Sequence, residues 1–288
     1  MADEPLQPIA DPEEVEAGAK PLEPVPDPEE EGGPVKTFLE HLEDLRWVLI
    51  KCFVSLALGM VTCLVAAPYA SDFLQKPLND SGADIRLEAL DPLGPVFISL
   101  RIALYGGFAI ALPFILYFVA DFVLPALKKK EKKYFKGAFL IGSGLFFSGA
   151  ALCYFVILQI SLLGLVAMNK WLGLAGTVWR AEQYFSFVLM FMVGMGISFE
   201  LPVVLLTLVR MGVISHETLV KSRAYLFIGN LVLCAFITPD AISTIFMVIP
   251  VQALIEICIM ISRYWERQKR IAEAAELAAS KRIESGVS

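Results

Sequence analysis

The chain has 288 residues, 57% of them hydrophobic, a formal net charge of −6 and five cysteines. A mean hydropathy of +0.65, with several long apolar runs, excludes an ordinary soluble domain and indicates an all-α integral membrane protein. The acidic balance is local: residues 1–34 hold eleven acids against Lys20 alone, the rest is mildly basic, and no nucleic-acid partner is expected.

In chain order, residues 1–35 read as a disordered acidic tail, which also carries eight of the seventeen prolines. Such a segment has too little apolar surface to offset the entropy of ordering. It has neither the basic-then-apolar pattern of a secretory signal nor the composition of an organelle transit peptide, which favours a prokaryotic cytoplasmic membrane. Residues 36–264 form the membrane domain, and 265–288 a charged C-terminal tail.

Thr37 and Glu40 make a capping box, so a helix starts near Phe38. Along it, Glu40, Glu43 and Asp44 lie on neighbouring faces. This cluster can pair locally with Arg46 or dock a cationic ligand. Six spans follow, at roughly 47–67, 93–121, 138–168, 184–209, 224–237 and 242–262. Most are long enough for a ~30 Å hydrocarbon core. The fifth, Tyr225–Ile237, is the exception, and a bundle with short fifth and sixth helices thins the bilayer or is shielded by neighbours.

Glu131 is the only acid in KKKEKKYFK and either balances charge or marks where a guanidinium could pair. Gly142-Ser143-Gly144 reads as small residues for close helix packing. Glu200 lies in an apolar run, Tyr184–Val209, that carries no other charge. A carboxylate near mid-bilayer costs about 2–3 kcal/mol on insertion scales, so it is a functional candidate by default. Asp240 follows Thr238-Pro239 and is placed to cap the sixth helix. Glu256 lies within that helix, seven residues before Arg263.

Orientation follows from lysine and arginine in the connections. Eighteen cations fall on the side of the two termini, against Lys76, Arg86, Lys170 and Arg180 on the other. Both termini are therefore expected in the cytoplasm. The only histidines, His41 and His216, lie outside the spans, and the chain has neither an HExxH zinc motif nor a phosphate-binding loop. The five cysteines read as small hydrophobes. No catalysis, metal or cofactor is expected. An ion-coupled secondary transporter or channel using Glu200 remains the alternative, although no internal repeat supports it.

These features, in this order, resemble the TatC family of the twin-arginine protein translocase. The resemblance runs from Phe38 to about Tyr264. The entry motif is His41-Leu42-Glu43-Asp44-Leu45-Arg46, and Pro77-Leu78 follows in the first outer loop. Phe122, Pro125, Leu127 and Glu131 form the next motif, then Gly196, Phe199, Glu200 and Pro202. Arg223-x-Tyr225, Thr238-Pro239-Asp240, and Pro250 with Glu256 complete the series. Asp44 stands where the family usually has Glu. Gln159 stands where a proline is common, so no proline kink is predicted there.

The resemblance implies a multi-pass inner-membrane protein that binds twin-arginine signal peptides of folded cargo and draws on the proton-motive force. Asp44 and Glu131, with Glu43 and Arg46 beside Asp44, would form the peptide site. Glu200 would contact a polar residue of a TatA- or TatB-type single-span subunit. Phe122, Pro77, Asp240 and Glu256 would serve structure or partner contact, and copies of the chain would associate in the receptor complex.

Overall fold

The computed structural model describes residues 38–80, 85–123, 129–174, 178–238 and 240–284. Its helices are α1 (Phe38–Val65), α2 (Ala67–Asp80), α3 (Gly94–Val123), α4 (Lys129–Leu152), α5 (Leu158–Trp171), α6 (Ala181–Arg210), α7 (His216–Lys221), α8 (Arg223–Ile237) and α9 (Ala241–Glu284). Two three-residue strands, β1 (Arg86–Glu88) and β2 (Val178–Arg180), pair in parallel. Among the described residues, five helical stretches are long and apolar enough to cross a bilayer: α1, α3, α4 continuing into α5, α6, and the first part of α9. The short α8 is the remaining span. The acidic tail and Thr37 lie outside the described residues.

Alternating spans define two faces. One carries the start of α1, the ends of α3 and α6, the start of α4, and α7; it is called here the terminus-bearing face. The far face carries α2, the strand pair and the α8–α9 turn.

Lipid tails are as apolar as leucine, so helices in a bilayer associate through close packing and hydrogen bonds. The bundle shows both. α6 is the hub, touching α3, α4, α8 and α9. Gly196 makes room there for Phe146, since a Cβ at 196 would lie 2.6 Å from the ring. Phe146, Phe191 and Met195 are wholly buried. α1 stands at the edge, packed mainly on α3.

On the far face, Pro77 sits buried inside α2. A proline inside a helix leaves the carbonyl four residues back without its donor, here that of Phe73. Tyr154 supplies the missing bond, its hydroxyl donating to Phe73 O at 2.8 Å while the two rings stack 4.3 Å apart. The Tyr184 hydroxyl donates to Leu74 O at 2.7 Å. The strand pair then ties the two far-face connections, Leu87 opposite Trp179. Neither element is legible in the sequence. Three-residue strands are too short to show a two-residue period, and α2 is only moderately apolar.

The third span contains a π-helical turn, Cys153–Ile157, just before Gln159. An extra residue per turn, rather than a proline, adjusts the helix at that level. The fifth span is short, at 15 residues or ~22 Å. Three polar rungs hold it to α9. Arg223 pairs with Glu256 at 2.9 Å, Asn230 Nδ2 donates to Val248 O at 3.3 Å, and the Thr238 and Thr244 hydroxyls bond to each other. The expectation of a short sixth helix is corrected: α9 is a single helix of 44 residues. No helix breaker follows Pro250, and the Ala-rich stretch after Arg270 favours continued helix.

Candidate functional site

α1 is described from Phe38 onward, and the predicted capping residue Thr37 lies outside the described residues. One turn later the His41 ring stacks on Phe122, centroids 4.5 Å apart and planes 20° apart. This contact joins the start of α1 to the end of α3, across 81 positions. Asp44 lies one turn beyond His41, on the same side of the helix, and is half-buried. Glu43 and Arg46 are exposed. Glu131 falls in the first turn of α4, nine positions after Phe122. Its side chain, and the connection 124–128 with Pro125 and Leu127, lie outside the described residues.

Glu200 projects from α6 ten residues, ~15 Å, before the helix ends at Arg210. That places it near mid-membrane. It lines a recess of about 280 Å³ between α3, α4 and α6, with Ala120, Phe139, Gly142 and Thr207 among its neighbours. Gly142 leaves room for it, since a Cβ at 142 would lie 2.8 Å from Glu200 Oε2 and oblige the carboxylate to move. The small-residue stretch Gly142-Ser143-Gly144 therefore opens space for a carboxylate as well as for a helix. Glu200 Oε1 is buried and has no hydrogen-bond partner among the described residues. The recess is almost entirely apolar, with Thr207 the other polar side chain in its lining.

The other candidates fall elsewhere. Asp240 Oδ2 accepts from Ser243 N–H at 2.7 Å, which makes it the N-cap of α9. Glu256 forms the Arg223 rung and also accepts from Gln252 Nε2 at 3.5 Å. Pro77 is on the far face, remote from Asp44. The five cysteines are all free.

Two charged residues escaped the sequence reading. Arg101 lies inside α3, and its Nη1 donates to Glu182 O at 2.7 Å, joining α3 to the first turn of α6. Glu182 is itself buried, with Arg180 Nε 3.8 Å away. Its carboxylate presses on Gly94, where any Cβ would overlap Oε1. The available signal was Arg101 itself, a guanidinium within an apolar span, as conspicuous as Glu200.

The fold and these charges define a class: a six-span, all-α membrane protein with a carboxylate, Glu200, buried within one of its spans. The family profile described as Sec-independent protein translocase protein (TatC) matches residues 40–250. The TatC protein of Aquifex aeolicus (strain VF5) is 36% identical over 236 residues, covering 82% of this chain and 98% of that protein. The TatC protein of Carboxydothermus hydrogenoformans is 31% identical over 230 residues, covering 79% and 93%. A crystal structure of the twin-arginine translocase receptor TatC in DDM matches with a TM-score of 0.72 at 36% identity, over 77% of this chain and 99% of the other. The chain belongs to the TatC family of Sec-independent protein translocase proteins. It is a multi-pass membrane component of protein transport and works with other Tat components.

Proposed function

We propose that this chain is the receptor subunit that binds twin-arginine signal peptides on its terminus-bearing face, with that face and both termini in the cytoplasm. The observation that carries the reading is the His41–Phe122 stack. It holds the entry motif of α1, which carries Asp44, against Phe122 at the end of α3, nine positions before Glu131 in the chain.

A guanidinium meets a carboxylate through two parallel hydrogen bonds, and an ammonium does not reproduce that fork. Asp44 and Glu131 would each take one arginine of the pair. Glu43 would add negative potential, and Arg46 would restrain the acids near it. The peptide's apolar stretch would continue along the bundle. Glu200, whose Oε1 has no hydrogen-bond partner among the described residues and which lines an apolar recess, would bond a polar side chain from a TatA- or TatB-type single-span subunit. The short α8 would favour local thinning of the bilayer as folded cargo passes. The proton-motive force would supply the energy, with the chain acting as a non-enzymatic subunit within a receptor complex of several copies.

The test is cross-linking of a photoreactive twin-arginine peptide to the chain in membranes, beside a twin-lysine control. Labelling near Asp44 and Glu131 by the arginine peptide alone is the expected result. Equal labelling by both peptides, or labelling confined to the far face, would remove the reading.

A further inference from the structure

Between α1 and α3 runs a groove of about 520 Å³ that the proposed receptor activity does not use. Its origin is local. At Gly59 and Gly107 the two helices touch backbone to backbone, and a Cβ on Gly59 would lie 2.5 Å from the Gly107 carbonyl oxygen. Nearer the terminus-bearing face α3 presents Phe114 and Phe118 instead of glycine, and a space opens between the helices. On α1 the groove is lined from Trp47 to Thr62. Those 15 steps are ~22 Å of helix, longer than the ~15 Å hydrocarbon depth of one leaflet.

The lining is apolar except for Ser55, Thr62 and one charge, Lys51. That charge is at the interface end of the groove, one turn below Trp47, with Nζ 5.9 Å from the centre of the Phe118 ring. A lysine stem packs along apolar surface while its ammonium reaches toward headgroups, and tryptophan favours the same depth. An apolar channel headed by a cation has the shape and polarity of one lipid: a hydrocarbon chain below, a phosphate above.

The size of the groove matches a hydrocarbon chain more closely than a helix, which would lie mostly outside it. A helix is ~10–12 Å across, so ~22 Å of it fills on the order of 2,000 Å³. A hydrocarbon chain about 4 Å across, the spacing of contacting carbons, fills roughly 300 Å³ over the same length. We infer that the α1–α3 groove holds one acyl chain of an anionic phospholipid from the leaflet on the terminus-bearing face, its phosphate paired with Lys51. The inference does not depend on signal-peptide binding, and its test uses no peptide.

The full-length chain, purified in mild detergent, is titrated with phosphatidylglycerol or phosphatidylcholine and the bound lipid counted by native mass spectrometry. One phosphatidylglycerol should be retained in preference to phosphatidylcholine. Lys51→Gln should weaken its retention about five-fold, the scale of one basic residue at an anionic membrane surface, and level the preference. Lys51→Arg should restore both. Ser55→Phe fills the groove and should abolish retention of either lipid. In liposomes, phosphatidylglycerol should slow alkylation of Ser55→Cys, while sn-glycerol 3-phosphate should not. Unchanged lipid retention in Lys51→Gln and Ser55→Phe would overturn the inference. So would competition by glycerol phosphate, or protection of Ser55→Cys by a single-span partner helix but not by lipid.

Discussion

The first and fourth spans have nearly the same hydropathy, 2.3 against 2.1, yet 6% of the one and 50% of the other is buried inside the protein. The spanning part of α1 is apolar on the side packed on α3 and on the sides exposed to the surroundings, where a membrane protein meets lipid. α6 is apolar on every side because other helices surround it. Hydropathy measures transfer out of water and cannot tell these surroundings apart. What differs is how many neighbours each helix has. α6 carries Gly194, Gly196 and Ser198 in a centre fitted to several helices, whereas the close contacts of α1, at Gly59, Met60 and Cys63, are all with α3. The central helix carries the packing that holds the bundle, and the edge helix carries much less of it.

The comparison is broken most directly by overpacking α6. Gly196→Leu would drive a side chain into the Phe146 ring, and should cost about 3 kcal/mol, the upper end for an overfilled core. Leu58→Ala on the lipid-exposed side of α1 should change stability by less than ~0.5 kcal/mol. Thermal unfolding in detergent compares the two, and equal losses would erase the distinction between hub and edge.

Next in size is the separation of binding from folding on α1. Asp44→Asn and Glu131→Gln keep shape and remove charge, and each should weaken twin-arginine peptide binding by about 2 kcal/mol, or some thirty-fold, less where water screens the site. Preference for arginine over lysine should fall with it, and the double variant should be less than additive. Asp44→Glu should be tolerated. Isothermal titration with the two peptides measures all of this, while unchanged melting temperatures would show that α1 is not being unfolded.

A smaller effect is expected where the third span meets α2. Tyr154→Phe removes the donor to Phe73 O and should cost about 1 kcal/mol. In a Pro77→Ala background the helix regains its own N–H, and the same change should cost less. A double-mutant cycle with no coupling would show that the tyrosine does not compensate for the proline.

The smallest effect should come from the outermost rung of α8. Glu256→Gln breaks a pair whose side chains are 49% and 40% exposed, so under 1 kcal/mol is expected. Asn230→Leu, in the buried middle rung, should cost more. A reversal of that order in unfolding experiments would mean that α8 is held from its end rather than its middle.

Much of this was legible in the chain. The apolar runs gave the spans, because a bilayer demands ~20 residues of satisfied backbone per crossing. Asp240 was recognisable as a cap, and Glu200 stood out because a charge in hydrocarbon is costly. These are local properties, set by a residue and its near neighbours along the helix.

Contacts between distant segments were not legible. His41 on Phe122, Tyr154 on Phe73, Arg101 on the Glu182 carbonyl, and Arg223 on Glu256 each depend on helix rotation and tilt. Sequence periodicity does not fix those angles when every face of a helix is apolar. The continuation of α9 to Glu284 was missed for a different reason: a change from apolar to charged composition marks where the membrane ends, not where the helix does. The sequence alone determined which segments cross the bilayer and which residues are chemically out of place there. Only the tertiary structure decided what those residues meet, because close packing and hydrogen bonds, rather than hydrophobicity, choose neighbours inside a membrane.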